Sequence, residues 1–230
     1  MWNKVWKPSL KYFTIMASII GFFWLTQPVR AEIEDFEPVT IVEKTTQSSA
    51  VQVCNTSACK THGSGFHLYN GYFITAGHVT GSNKNMWIKN STGQQQSAKV
   101  IWKSTQSDFS LMHVEAWDFL SPPENKITCE EQTVGEQITI TGYPADLGNV
   151  TTKGSILGIK EGKIGNWNDP YIADINIFFG NSGGPAINSN NEIFGIAVGG
   201  LRGTSFSLLE PISKICDILP VKKVNDNDDK

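Results

Sequence analysis

The chain lacks any long run of basic side chains in its body, and its formal net charge is −3 over 230 residues. A nucleic-acid partner needs clustered Lys and Arg to neutralise phosphates, so that class of function is excluded. It also lacks an apolar run fit to cross a bilayer. The candidate, Tyr12 to Leu25, is 14 residues long, against the roughly 20 that a spanning helix needs. Internal repeats are missing, and the one biased segment is the polar, acidic VNDNDDK at the C-terminus, which places a solvated tail over 221–230. Helical pattern is scarce. Only PISKICDIL reads as a helix, over 211–219, with Pro211 at a favoured first position and Ile212, Ile215, Cys216 and Leu219 on one face.

The short apolar run has a different meaning. Lys4, Lys7 and Lys11 precede it, Pro28 follows it, and Val29-Arg30-Ala31 offers small residues where a signal peptidase reads. Residues 1–31 are expected to be a secretory signal cleaved before Glu32. The mature chain would then be soluble, without stable membrane insertion, and would work outside the cytoplasm, secreted or periplasmic. A retained membrane anchor is the alternative.

In an oxidising compartment the four cysteines suggest disulfides, with three possible connectivities. Cys54 and Cys59, close together in CNTSAC, would staple a loop, while Cys216 is read either as a buried thiol or as the partner of Cys129. Cys54, Cys59, His62 and His67 also raise the question of zinc. The cysteine spacing is at the outer edge of structural zinc sites, and the interval between the Cys and His pairs is too short for a finger, so no metal is expected.

What fills the body is short β-patterned runs: VTIVEK, AVQV, SGFHLY, GYFIT, NMWIK, AKVIWK, FSLMHVE, QITITGY, TKGSILGI, YIADINIF, GPAIN, EIFGIAVGG and SFSLL. Clusters such as Asn-Gly and Ser-Pro-Pro separate them. Many short strands at regular spacing argue for an all-β sandwich or a pair of barrels rather than a parallel α/β sheet. The polar stretch Ser121–Thr133 marks a natural connection between two halves.

One segment, FGNSGGPAIN (Phe179–Asn188), sets a single serine, Ser182, among three glycines. A tight turn explains it, and so does an oxyanion site. A serine hydroxyl is a weak nucleophile until a base takes its proton, and that base needs a carboxylate to hold its tautomer. Of the four histidines, His78 stands out in GYFITAGHV, where a β run ends in a turn that delivers the imidazole. Asp108 lies at the mouth of an apolar strand in QSDFSLMHVE.

ITAGHV, SDFSLM and GNSGGP, in that order, resemble the chymotrypsin-like (trypsin-fold) serine peptidases, above all the bacterial secreted and periplasmic branch with the HtrA/Deg and glutamyl-endopeptidase families. The likeness covers roughly Gly63 to Ser213. It implies two six-stranded antiparallel β-barrels, the first about 39–120, a connection about 121–133, the second about 134–210, then the short helix, all within a peptidase domain of 32–220. It also implies a serine endopeptidase that acts on polypeptides through an acyl-enzyme without a cofactor. His78 would be the general base, Asp108 its orienting acid, Ser182 the nucleophile, and the N–H groups of Gly180 and Ser182 the oxyanion hole. Asn181 stands where animal digestive members carry an Asp that pairs with a new N-terminus, so no such activating cleavage is expected. No PDZ module is expected after Pro211. The resemblance places Asn176 at the floor of the specificity pocket and Val198, Gly199 and Gly200 along its wall. Ala197 replaces the histidine of glutamyl endopeptidases, which points to a small or medium uncharged residue at the cleaved bond. An inactive trypsin-fold module that binds proteins is the alternative, as is a membrane-anchored quality-control protease.

Overall fold

The computed structural model describes residues 49–60, 62–116, 125–145 and 147–219. The expected signal (1–31), the VTIVEK run and the tail (221–230) lie outside the described residues.

Six strands form the first barrel: β1 (Ala50–Cys54), β2 (His62–Tyr69), β3 (Tyr72–Ala76), β4 (Asn85–Lys89), β5 (Gln95–Lys103) and β6 (Phe109–His113). They close in the order β1-β2-β3-β6-β5-β4, every neighbour antiparallel. The β2–β3 turn is Asn70-Gly71, both at positive φ (46° and 77°), the conformation a tight two-residue hairpin requires.

The second half holds β7 (Lys126–Ile127), β8 (Gln137–Gly142), β9 (Val150–Ile159), β10 (Lys163–Ile164), β11 (Trp167–Asn168), β12 (Tyr171–Asp174), β13 (Pro185–Ile187), β14 (Glu192–Gly200) and β15 (Phe206–Pro211). Six of these close a ring, β13-β8-β9-β12-β15-β14, through the β13–β14 pairing. β7 adds to β14 in parallel, so the expected connection joins the second sheet from Asn125 onward. β10 and β11 form a separate two-stranded hairpin. The fold is all-β with two six-stranded antiparallel barrels.

Three apolar clusters follow from strand alternation. One fills the first barrel, with Val51, Val53, Phe73, Met86, Ile88 and Met112. One fills the second, with Ile138, Ile140, Ile156, Tyr171, Phe194 and Leu209. The third lies between them: Phe66, Leu68, Ile74 and Phe109 from the first barrel meet Ile193, Ile196, Val198 and Leu208 from the second. β2 is buried almost end to end because one face serves a barrel interior and the other this interface.

Two sequence expectations change. YIADINIF yields a strand only over Tyr171–Asp174; beyond it the Ile175 carbonyl accepts from Ser207 Oγ at 2.5 Å, and the chain leaves the sheet. The helix expected over 211–219 contracts to a 3-10 turn, Ile212–Ile215. Pro211 keeps an extended ψ of 131° because it still pairs with Gly195 at the end of β15. A helix this short has little stability of its own, but the 3-10 spacing still turns Ile212 and Ile215 together into the inter-barrel cluster. Among the described residues no helix is long and apolar enough to cross a membrane.

Two disulfides join Cys54 to Cys59 and Cys129 to Cys216, across 5 and 87 residues. In the chain-entropy account the longer loop contributes about 4–5 kcal/mol and the shorter about 2 kcal/mol. Replacing both Cys129 and Cys216 by Ala should therefore lower the urea midpoint more than the same change at Cys54 and Cys59.

Candidate active site

β3 ends at Ala76, and one helical turn follows, α1 (Gly77–Thr80). Two contacts fix this turn on the start of β6: Gly77 N–H donates to Asp108 O at 2.9 Å, and the hydroxyls of Thr80 and Ser110 meet at 2.8 Å. His78 is thereby set against the Asp108 carboxylate. Its backbone N–H donates to Oδ1 at 2.8 Å, and ring Nδ1 lies 2.6 Å from Oδ2. With Nδ1–H donating to the carboxylate, Nε2 of the neutral ring is left as an acceptor. The imidazole is 44 % exposed and the aspartate side chain 13 %, so the ring faces solvent while the carboxylate is covered.

Burial alone would push the Asp108 carboxyl up. The hydrogen bonds and charge of His78, with a further bond from the Trp167 indole N–H to Oδ2 at 2.8 Å, outweigh it and hold the carboxyl below its usual value.

Ser182 comes from the loop before β13. The loop is held by Gly183 N–H to Ala197 O (2.7 Å), Ala197 N–H to Gly184 O (2.9 Å), and Ser64 N–H of the first barrel to Ser182 O (2.7 Å). The glycines on either side share the same two reasons. At Gly180 (φ 101°) a Cβ would stand 2.3 Å from Tyr143 O, and at Gly183 (φ 86°) 2.2 Å from Ser64 O. Positive φ and close packing both demand glycine there. The N–H groups of Gly180 and Ser182 donate to no other group among the described residues.

The histidine turn and the serine loop are neighbours. A Cβ placed on Gly63 would lie 2.5 Å from the Val79 side chain and 2.9 Å from Ser182 O. No hydrogen bond joins Ser182 Oγ to His78 among the described residues. Catalytic hydrogen bonds are often long without substrate and tighten on binding. Beside them an open cleft of about 640 Å³ is lined by His78, Gln106, Ser107, Asp108, Lys163 and Trp167, among others.

The trypsin-like peptidase domain family matches residues 63–196. The chain belongs to that family. It is 32% identical over 166 residues to a probable periplasmic serine endoprotease, DegP-like, of Hahella chejuensis, which covers 68% of this chain and 34% of that protein. It is 31% identical over 148 residues to a probable periplasmic serine protease, do/HhoA-like, of Haemophilus influenzae, over 60% of this chain and 31% of that one. It thus spans about one third of the length of these relatives. Among solved structures, the serine endoprotease from Yersinia pestis superposes with a TM-score of 0.63 at 24% identity, covering 75% of this chain and 61% of that chain. The HtrA-type protease AlgW with tripeptide gives 0.66 at 18%, covering 75% and 59%. At these identities the structures show the shared fold.

Of the residues expected around the specificity pocket, Asn176 is exposed, just beyond the end of β12. Val198 is 2 % exposed, with its side chain in the inter-barrel cluster. Gly200 is exposed. The wall over Gly199 is the indole of Trp167, whose Cη2 lies 3.0 Å from where a Cβ would stand. Sequence reading missed Trp167, which sits in a polar turn, GNWND, with no periodic pattern. It also missed His62, whose Nε2 lies 2.9 Å from Tyr143 O beside Gly180. His67, by contrast, is buried and stacked on Phe73.

Glu210 lies behind the site, fully buried, with Oε1 3.2 Å from Lys214 Nζ and Oε2 without a hydrogen-bond partner. Burial pushes its carboxyl up; the charge and hydrogen bond of Lys214 and a backbone hydrogen bond from Asp108 oppose this, and the Asp108 charge adds to it. An acid whose pKa is raised on folding costs stability when ionised; the cost is full above the raised value and is lost as pH falls from there to the ordinary carboxylate value. Glu210→Gln should therefore raise the thermal midpoint at neutral pH, and the gain should shrink as pH falls through that window.

Proposed function

We propose that the chain is a serine endopeptidase that hydrolyses peptide bonds through an acyl-enzyme. The observation that carries this reading is His78, held by Asp108 through both its backbone N–H and its ring, on a turn whose next residue, Val79, meets Gly63 beside the Ser182 carbonyl. Ser182 Oγ attacks the substrate carbonyl while His78 Nε2 takes its proton. The electron pair moves to the carbonyl oxygen, which the N–H groups of Gly180 and Ser182 stabilise. Collapse of the tetrahedral intermediate breaks the C–N bond, His78 protonates the departing amine, and an ester to Ser182 remains. Water, deprotonated by the same histidine, releases the acid. Asp108 stabilises the imidazolium without taking the proton.

The relatives' description as periplasmic supports an extracytoplasmic site of action. It fits residues 1–31 as a secretory signal and the mature domain as 32–220. Its substrates are polypeptides. A second reading, a trypsin-fold module that binds proteins without cutting them, draws on the open Ser182–His78 contact.

A fluorophosphonate probe separates the two. Labelling at Ser182 in folded protein supports the peptidase, and no adduct favours the binding module. Ser182→Ala should lower kcat by about four orders of magnitude or more with the far-UV and thermal transitions preserved; a variant that cuts as fast as the parent overturns the assignment.

A further inference from the structure

We propose that Trp167 is a positioning residue for Asp108, delivered across the barrel interface by the β10–β11 hairpin. The proposal rests on the triad reading above, in which the acid must hold the base. Oδ2 of Asp108 receives two donors, His78 Nδ1 at 2.6 Å and Trp167 Nε1 at 2.8 Å, while Oδ1 receives the His78 backbone N–H at 2.8 Å. The indole N–H is a donor only, does not rotate and does not titrate. It therefore fixes the plane of the carboxylate in a way a hydroxyl would not. The adjoining strand residues Val198, Gly199 and Gly200 carry no side-chain donor that could take its place.

The hairpin that presents the indole cannot position itself. It has two paired positions, Lys163 with Asn168 and Ile164 with Trp167, and an isolated hairpin is marginal in water. Its location comes from contacts with both barrels. Asn168 Nδ2 donates to Gln106 O at 3.1 Å, in the loop leading to Asp108. Lys214 Nζ donates to Asn168 O and also meets Glu210. Ile164 and Trp167 pack against the inter-barrel cluster, and the lack of a side chain at Gly199 leaves room for the ring. The hairpin of the second barrel thus reaches the acid of the first, and the same ring that holds Asp108 walls the cleft. The charged groups around this contact are His78, Asp108, Glu210 and Lys214, with Lys163 and Asp169 on the hairpin side.

Removing the indole N–H concentrates negative charge on Oδ2, which stabilises the imidazolium and moves the His78 titration to higher pH. Trp167→Phe keeps an aromatic ring and deletes the donor. The primary test follows the His78 ring protons by NMR against pH in Ser182→Ala protein, with and without Trp167→Phe. This readout needs no activity, so it stands even if the peptidase reading fails. The expected result is a shift to higher pH of roughly half a unit; an unchanged titration overturns the proposal. In the Ser182-containing enzyme, kcat should fall about tenfold, with KM within about threefold and the acid limb of kcat/KM displaced in the same direction. A fall in kcat with the limb unmoved would mark a merely structural role and also overturns it. If Trp167→Phe does not fold, Gly199→Ala, whose methyl presses on the indole, decides by the same titration.

Discussion

Ser64 ties the two barrels together at the point where the chemistry would take place. It is fully buried on β2 of the first barrel. Its N–H donates to Ser182 O (2.7 Å), and its hydroxyl donates to Gly180 O (2.6 Å) while accepting from Tyr143 N–H (2.8 Å). Its carbonyl accepts from Thr75 Oγ1 at 2.6 Å. Every polar group of one small residue is thus used to hold a loop of the second barrel against β2 and to tie β2 to Thr75 on the strand that leads to His78. Buried polar groups are costly when unpaired, so the contact set favours one docking arrangement over slipped ones. The backbone of Gly183 lies so close to Ser64 O that no other residue fits without displacement.

This dependence explains why the glycines around Ser182 are necessary. Their most direct role is to let Tyr143 O and Ser64 O approach the loop. The apolar cluster between the barrels supplies the non-directional part of the docking, and the Ser64 bonds supply its register. Asp108 and Trp167 repeat the pattern on the other side of the cleft: a side chain of one barrel is held by a donor from the other.

Much of this was legible in the sequence because it is local. The short β-patterned runs AVQV, SGFHLY and EIFGIAVGG gave strands, and Asn70-Gly71 gave a hairpin. GHV and GNSGGP gave the histidine and serine turns, since turn chemistry is written in adjacent residues. The rest depends on tertiary contact. The short pairs at Lys126, Lys163 and Trp167 have too few residues for any period to register. The C-terminal segment carried a helical pattern but was overruled by strand pairing at Pro211. The tryptophan beside Gly199 was not legible because it arrives from a distant hairpin, and resemblance assigns positions only along the strand itself. Glu210 gave no signal either, since nothing in LLEP says that its carboxylate will be enclosed.

The division of the site between the barrels has a consequence for the order in which a cell makes the protein. His78 and Asp108 leave the ribosome about a hundred and about seventy residues, respectively, before Ser182. The strands that complete the second barrel, and the cysteine that closes the longer disulfide, come later still. A nascent or truncated polypeptide therefore carries His78 and Asp108 without Ser182, or Ser182 without the framework that positions its loop, so the three side chains come together only when the second barrel is complete.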